Sequence, residues 1–333
     1  MSDFLQTLSR LDEQVFRAWK EATRLTLPSS YRSVKDVVVM AMGGSALGAD
    51  LIKSALADRI TAPISIVNDY RIPASAGKST LVILSSFSGT TEEVLTAYTE
   101  ARLRKLKMFV LTNGGELAKR AKRDGVPMYQ FDPADLASQP RYGTGFMAMG
   151  PLAVLAKIGA VKVSQKEIEE VAMHLKRGIK RWTTEAKKVS AQLKGRALVM
   201  VASEHLEGAA HVFSNQANES AKQFSTRFPI PEMNHHLMEG LTFPKSVVKQ
   251  MTFVFVESSL YHPRVAKRYP LTKTVVQKNG AKILSIKLTG KTPLAQAFEL
   301  VQRGALITAM LADRAHVDPK SVPWVDWFKA RMK

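Results

Sequence analysis

The sequence predicts an α/β protein of two similar domains, each a mostly parallel sheet flanked by helices. Three observations carry that reading. Short β-branched runs alternate with longer amphipathic stretches, the pattern of parallel strands joined by crossover helices. Turns rich in glycine and hydroxyl side chains follow strands in the first half. After Gly159 the pattern resets and strand–turn–helix units begin again, a loose duplication rather than a short-period repeat. The join is expected near residues 158–165, giving an N-terminal domain of residues 1–158 and a C-terminal domain of residues 159–333.

Val37-Val38-Val39-Met40-Ala41 is the first predicted strand, a continuous apolar run of the kind buried on both faces. Ser45 to Leu56 is its helix, and Ile64–Val67 and Leu81–Leu84 are the next strands. Apolar positions near helical spacing predict a helix from Thr91 to Leu106. Met108–Leu111 is a strand, Thr112-Asn113-Gly114-Gly115 its turn, Glu116–Arg123 a short helix and Met128–Phe131 the last strand of this half. A loop with Pro133 and Pro140 leads to a long apolar helix, Tyr142–Ile158. The second half reads as a charged helix Gln165–Leu193, a strand Ala197–Val201 and a helix from Glu207 to about Gln223. Strands at Met251–Val256 and Lys282–Ile286 and helices at Pro263–Gln277 and Pro293–Leu311 follow.

Composition bounds the function. At 333 residues, 45% hydrophobic and 23% charged, the chain has the make-up of a folded water-soluble protein of about two domains. Its longest apolar runs fall far short of the roughly 20 residues that cross a bilayer, so no membrane association is expected. The start, Met1-Ser2-Asp3-Phe4, lacks the basic-then-apolar order of a secretory signal, and a cytoplasmic location is expected. Without cysteine there is no disulfide, thiolate nucleophile or cysteine metal site. The net charge of +19 suits either nucleic-acid binding or long-range attraction of anionic substrates. The basic residues are dispersed over helix-like stretches, with no zinc-finger spacing or RNP-like motif, and this argues against nucleic acid.

Two turns carry ligand chemistry. Met42-Gly43-Gly44-Ser45-Ala46-Leu47-Gly48 lies between a strand and a helix. Its glycines let backbone N–H groups approach a ligand, the helix start favours an anion, and Ser45 adds a hydroxyl. It is neither a Walker loop nor a dinucleotide fingerprint, because both spacings fail. Ser85-Ser86-Phe87-Ser88-Gly89-Thr90-Thr91-Glu92-Glu93 repeats the arrangement, with hydroxyls able to wrap a phosphate without a lysine. Hydroxyl residues also cap helices in the ordinary way. Two such loops at one sheet edge, where α/β proteins bind ligands, favour a phosphomonoester site.

These motifs resemble the sugar isomerase (SIS) domain, whose GGS turn and S-x-S-G-x-T loop hold a sugar phosphate. The resemblance implies Gly43, Gly44, Ser45, Ser86, Ser88 and Thr91 as phosphate-binding residues. It points to a ligand rather than to one reaction, since SIS domains also serve aminotransferase subunits and regulators.

The second half adds acid–base chemistry. Asn215 to Lys222 lies toward the end of a helix, and a loop and strand later comes Pro231-Glu232-Met233-Asn234-His235-His236. Moving a proton between adjacent sugar carbons needs a carboxylate base, ring opening needs a group titrating near neutrality, and an enediolate needs a fixed cation. A helical glutamate alone is more often a solvated surface residue. The paired histidines could be loop contacts or metal ligands; neighbours in a strand point to opposite faces, which argues against a metal.

Asn218-Glu219-Ser220-Ala221-Lys222, with His235 sixteen residues beyond the glutamate, resembles the bifunctional phosphoglucose/phosphomannose isomerases. The likeness extends through Pro140-Arg141 to the C-terminal Val322-Pro323-Trp324-Val325-Asp326-Trp327-Phe328-Lys329. It implies a cofactor-free, metal-independent enzyme of two SIS domains that interconverts glucose 6-phosphate and fructose 6-phosphate, with mannose 6-phosphate as a further substrate. Glu219 would shuttle the proton, His235 open the ring, Arg141 stabilise the enediolate and Lys329 assist near the ring oxygen. It also implies a homodimer with His235 contributed across the interface. Two positions depart from the family pattern: Asn-His-Asn reads Asn234-His235-His236, and a threonine associated with handling both C2 epimers reads Val322. The latter ranks mannose 6-phosphate below glucose 6-phosphate. The alternatives are a non-catalytic sugar-phosphate regulator and another SIS-type isomerase acting on phosphoheptoses or aminosugar phosphates.

Overall fold

The computed structural model describes residues 3–134 and 136–332; Met1 and Ser2 of the start-of-chain reading lie outside them. Two parallel sheets form the frame. The first has strand order β2-β1-β3-β4-β5, from β1 (Asp36–Ala41), β2 (Ile64–Val67), β3 (Thr80–Ser85), β4 (Lys107–Thr112) and β5 (Met128–Gln130). The second has order β7-β6-β8-β9, from β6 (Ala197–Ala202), β7 (Ser225–Pro229), β8 (Met251–Glu257) and β9 (Lys282–Lys287). All pairings in both are parallel. The α/β class with mostly parallel sheets is therefore as the sequence reads.

The helices are α1 (Asp3–Leu8), α2 (Leu11–Ala22), α3 (Gly44–Ala55), α4 (Glu92–Leu103), α5 (Gly115–Arg123), α6 (Thr144–Lys157) and α7 (Gln165–Leu193). They continue with α8 (Glu207–Ser220), α9 (Leu237–Gly240), α10 (Lys245–Val248), α11 (Pro263–Lys278), α12 (Pro293–Ala315) and α13 (Pro323–Met332). Side-chain alternation along each strand assigns its two faces. Val37, Val39, Leu81, Ile83, Phe109 and Leu111 join a core continuous with the second sheet through α2, α3, α6, α7, α8 and α12. Val38, Met40, Val82, Leu84 and Val110 pack instead under α4 and α5. Burial on both faces explains why these strands read as unbroken apolar runs.

Differences from the sequence reading have local causes. The predicted helix to Gln223 stops at Ser220, because Lys222 adopts a left-handed backbone (φ 51°). The predicted helix from Tyr142 starts at Thr144, after a 3-10 turn over Pro140–Tyr142. His235 ends a second 3-10 turn, Glu232–His235, so the pair His235-His236 is not in a strand and the opposite-face argument does not apply to it. The tryptophan-rich C-terminal segment forms α13, which buries none of its side chains.

Candidate active site

The order 2-1-3 in the first sheet makes β1 and β3 neighbours whose crossovers leave in opposite directions. The crevice at such a switch point is where open α/β sheets bind ligands. Both hydroxyl-rich turns leave these two strands and are bonded to each other. Ser45 Oγ accepts from Phe87 N at 2.9 Å, and Ser85 Oγ donates to Ser45 O at 3.2 Å. Ser86 Oγ accepts from Gly89 N at 3.0 Å and lies 2.8 Å from Thr91 Oγ1. Ser88 Oγ pairs with Thr90 Oγ1 at 3.0 Å. Because Ser45 Oγ accepts from Phe87, its own proton is left to donate to an anion.

Glycine is required where the turns meet their surroundings. Gly43 has φ 48°, a backbone that other residues rarely adopt. A Cβ on Gly44 would stand 2.9 Å from Arg141 N and 3.0 Å from Pro140 C. The first phosphate turn is thereby packed directly on the Pro140–Arg141 turn. The glycines after Arg141 also have a packing reason: a Cβ on Gly143 would lie 2.5 Å from the Phe87 ring, and one on Gly145 2.4 Å from Gln14 Cβ.

Arg141 is 2% exposed and spends every guanidinium nitrogen on a fixed partner. Nη1 stands 3.2 Å from Glu219 Oε2, Nε donates to Ser220 Oγ at 3.1 Å, and Nη2 donates to Pro319 O (2.6 Å) and Lys320 O (2.8 Å). The Tyr142 hydroxyl donates to Ser220 Oγ at 2.6 Å, and burial pushes that phenol above its usual pKa. Glu219, in the last turn of α8, keeps about a third of its side chain open (32%). It is thus held by a cation on one side and accessible on the other.

Lys329, on α13, lines a cavity of about 1190 Å³ together with Ser88, Thr90 and Thr91. The sequence-predicted residues thus fall into two linked groups, the phosphate turns with Lys329 and the Arg141–Glu219 pair against Gly44. His235 joins neither within the chain. It is exposed, and among the described residues no hydrogen bond ties it to Glu219 or Arg141. Its turn is nonetheless fixed: Asn234 Nδ2 donates to Thr272 Oγ1 at 2.8 Å, and His236 packs on the Phe228 ring. No group of three or more His, Cys, Asp or Glu side chains able to hold a metal occurs among the described residues.

Sequence reasoning left Lys222 and the carbonyls of residues 318–321 without a role. Lys222 stood in the Asn218–Lys222 motif, but two of its three partners are backbone atoms about a hundred residues away, and carbonyls carry no side-chain signature.

Two parallel sheets, each at the heart of a strand–helix unit, with hydroxyl turns at the switch point of the first, define a protein of two SIS-type domains. Residues 183–332 match the family model of the bacterial phospho-glucose isomerase C-terminal SIS domain. A protein of Caldicellulosiruptor bescii named bifunctional phosphoglucose/phosphomannose isomerase is 28% identical, over 98% of this chain and 98% of its own. One of the same name from Aquifex aeolicus is 27% identical, over 90% of this chain and 91% of its own. The solved structure of tagatose-6-phosphate ketose/aldose isomerase from Escherichia coli superposes with a TM-score of 0.75 at 17% identity, covering 96% of this chain and 94% of that one. Over nearly its whole length the chain is thus similar to proteins named bifunctional phosphoglucose/phosphomannose isomerase.

Proposed function

We propose that the protein is an aldose–ketose isomerase that interconverts glucose 6-phosphate and fructose 6-phosphate, with mannose 6-phosphate a weaker substrate. The observation that carries this reading is the Arg141–Glu219 contact at 3.2 Å, set directly against the phosphate turn through Gly44. A phosphate on Ser45, Ser86, Ser88 and Thr91 would present C1 and C2 of the open sugar to that pair. The Glu219 carboxylate takes the C2 proton of the aldose while the C2 electrons move into a C1–C2 double bond, giving a cis-enediolate. The same carboxyl returns the proton to C1, while the O2–H proton passes to the O1 oxyanion, so that O1 becomes the C1 hydroxyl and C2–O2 the ketone. Arg141 faces the negative oxygens, where a fixed donor is worth most. Holding both carbons beside one base keeps the proton from escaping between the two steps.

Each role is filled by a side chain, and the reaction is written without a metal or cofactor. His235 is assigned to ring opening, with Lys329 near the ring oxygen. Its exposure and its separation from Glu219 within the chain support its delivery to the site of a second copy in a homodimer. The division at residues 158/159 belongs to the same reading, as does a cytoplasmic location.

The test is an assay in EDTA with fructose 6-phosphate, measuring glucose 6-phosphate and mannose 6-phosphate separately. Glucose 6-phosphate is expected in excess. Glu219→Gln should bind phosphate ligands nearly as the parent does while turnover falls by about 10³-fold or more, as expected on losing a general base. Unchanged turnover in that variant would remove Glu219 from its role. Thermal stabilisation by fructose 6-phosphate without any turnover in the parent would instead identify a sugar-phosphate sensor.

A further inference from the structure

Four consecutive backbone carbonyls, from Asp318 to Ser321, lie on the strap that leads from α12 into α13, and two cations divide them. Arg141 Nη2 takes the middle two, Pro319 O and Lys320 O. Lys222 Nζ takes the outer two, Asp318 O at 2.6 Å and Ser321 O at 2.7 Å, and gives its remaining proton to Glu219 O at 2.8 Å. All three ammonium donors are used, and none goes to a carboxylate. The Asp318 carboxylate is turned onto its own strap, accepting from Lys320 N (2.9 Å) and Ser321 N (3.1 Å).

We propose that Lys222 is a positioning residue of the isomerase site: it ties the strap at residues 318–321 to the end of α8, and so fixes both the Arg141 guanidinium and the helix that carries Lys329. This rests on the function proposed above.

Three observations argue for it. First, α13 buries no side chain, so packing cannot hold it in place. Its position depends on the strap from which it starts. Second, Arg141 faces Glu219 with Nη1 while Nη2 grips the strap, so a strap that drifts rotates the guanidinium away from the carboxylate. Lys222 grips the strap on both sides of that contact. Third, the Lys222 backbone turns left-handed just past the helix end (φ 51°), an arrangement that folds the side chain back over the last helical turn. Partial burial, with repulsion from Arg141 behind it, lowers the ammonium's pKa against the opposing attraction of Asp318 and Glu219.

The plainer reading is that Lys222 only caps a helix C-terminus, as lysines often do. A cap acts on stability alone. The discriminating experiment uses the full chain with Lys222→Met, and Lys222→Gln as a second variant that keeps two N–H donors should the first not fold. The parent is assayed first with fructose 6-phosphate. Hydrogen exchange is then followed at the strap amides Lys320 and Ser321 and at Asp326 in the first turn of α13, with kcat, KM and inhibition by inorganic phosphate measured in parallel. Release of the strap is expected to speed its exchange by about tenfold or more. It should lower kcat by roughly 10- to 100-fold, the penalty for reacting groups about 1 Å out of place. Inhibition by inorganic phosphate should stay at the parent's value, since the hydroxyl turns make no contact with Lys222. A variant with a lower melting temperature but parental kcat and strap exchange would overturn the proposal in favour of a simple cap. A loss of kcat without faster exchange would overturn it as well. A parent inactive on every hexose 6-phosphate would overturn the isomerase reading and the positioning role with it, a failure visible before any variant is made.

Discussion

Asp50 Oδ2 lies 2.7 Å from His211 Nδ1, and this pair joins α3, which starts at the Ser45 turn, to α8, which ends at Glu219. Ser54 Oγ accepts from Gly208 N at 3.0 Å one turn further along. At the opposite end, Gly44 abuts Arg141, which holds Glu219 and Ser220. The two helices therefore run antiparallel, and that direction brings the anion turn of the first half to the same end as the carboxylate of the second.

The Asp50–His211 contact should be visible in the acid limb of stability. Burial pushes the Asp50 carboxyl up, but its hydrogen bond and charge interaction with His211, with Arg227 and Lys53 beyond, more than offset this and leave its pKa below the ordinary value. A carboxyl depressed on folding contributes stability above its unfolded pKa, near pH 4, and loses it as pH falls through the lower folded value. Asp50→Asn should thus melt below the parent at pH 6, and the gap should close as the pH is taken below about 4. Melting curves of both proteins from pH 3 to 7 check this; a gap independent of pH would mean that the pair contributes through packing alone.

The closeness of α3 and α8 depends on Gly208, where a Cβ would stand 2.3 Å from Asp50 O and 2.6 Å from Ser54 Oγ. The first of these is backbone and cannot rotate away. Gly208→Ala should destabilise the fold by about 1–3 kcal/mol, as overpacking a tight contact does. Since the helices must separate, it should also lower turnover more than it weakens phosphate binding. Denaturant titration alongside steady-state kinetics separates the two effects.

Much of this arrangement was legible in the sequence, for physical reasons. The first sheet is buried on both faces, so Val37–Ala41 and Leu81–Leu84 advertise themselves as apolar runs. The hydroxyl turns follow strands that pair at the switch point, and their chemistry lies in side chains, which a sequence displays. Legibility fails where backbone atoms are the partners. Lys222 reads as one more base in a chain of net charge +19, because the strap carbonyls it binds have no residue-type signature. For His235-His236 the argument against a metal borrowed strand alternation, although His235 ends a 3-10 turn, since a four-residue turn gives no periodicity to detect. α13 escaped for a different reason: a helix with no buried face leaves no apolar stripe on one side.

Glu207 opens α8 in a half-buried position, and burial raises its pKa despite the charge of Arg227, with Asp50 adding repulsion. The sign is opposite to that of Asp50. A carboxyl raised on folding favours the native state while protonated and loses that contribution as pH rises through the folded value. At neutral pH an ionised Glu207 therefore works against folding. Glu207→Gln should raise the melting temperature at pH 7 and have little effect near pH 4, which thermal melts at the two values would check. A lower melting temperature at pH 7 would show that the carboxylate is held by an attraction stronger than its burial.

The geometry of Arg141 makes the conservative Arg141→Lys change informative. The guanidinium reaches four partners in different directions: Ser220 Oγ, Glu219 Oε2, Pro319 O and Lys320 O. An ammonium offers three donors from one point and cannot face the carboxylate and span the strap together. Two outcomes of the substitution can be told apart. If lysine keeps the Glu219 contact, the strap loosens, and exchange at Lys320 and Ser321 rises while kcat falls modestly. If it keeps the strap, Glu219 loses its cation and the enediolate its donor, and kcat should fall by about 10²- to 10³-fold, the usual loss on removing a fixed oxyanion donor. In both cases inorganic phosphate should inhibit as it does the parent, because the part of Arg141 nearest a Cβ on Gly44 is its backbone N, which the substitution leaves in place. Full turnover in Arg141→Lys, with strap exchange unchanged, would show that the guanidinium neither faces the reacting oxygens nor holds the strap.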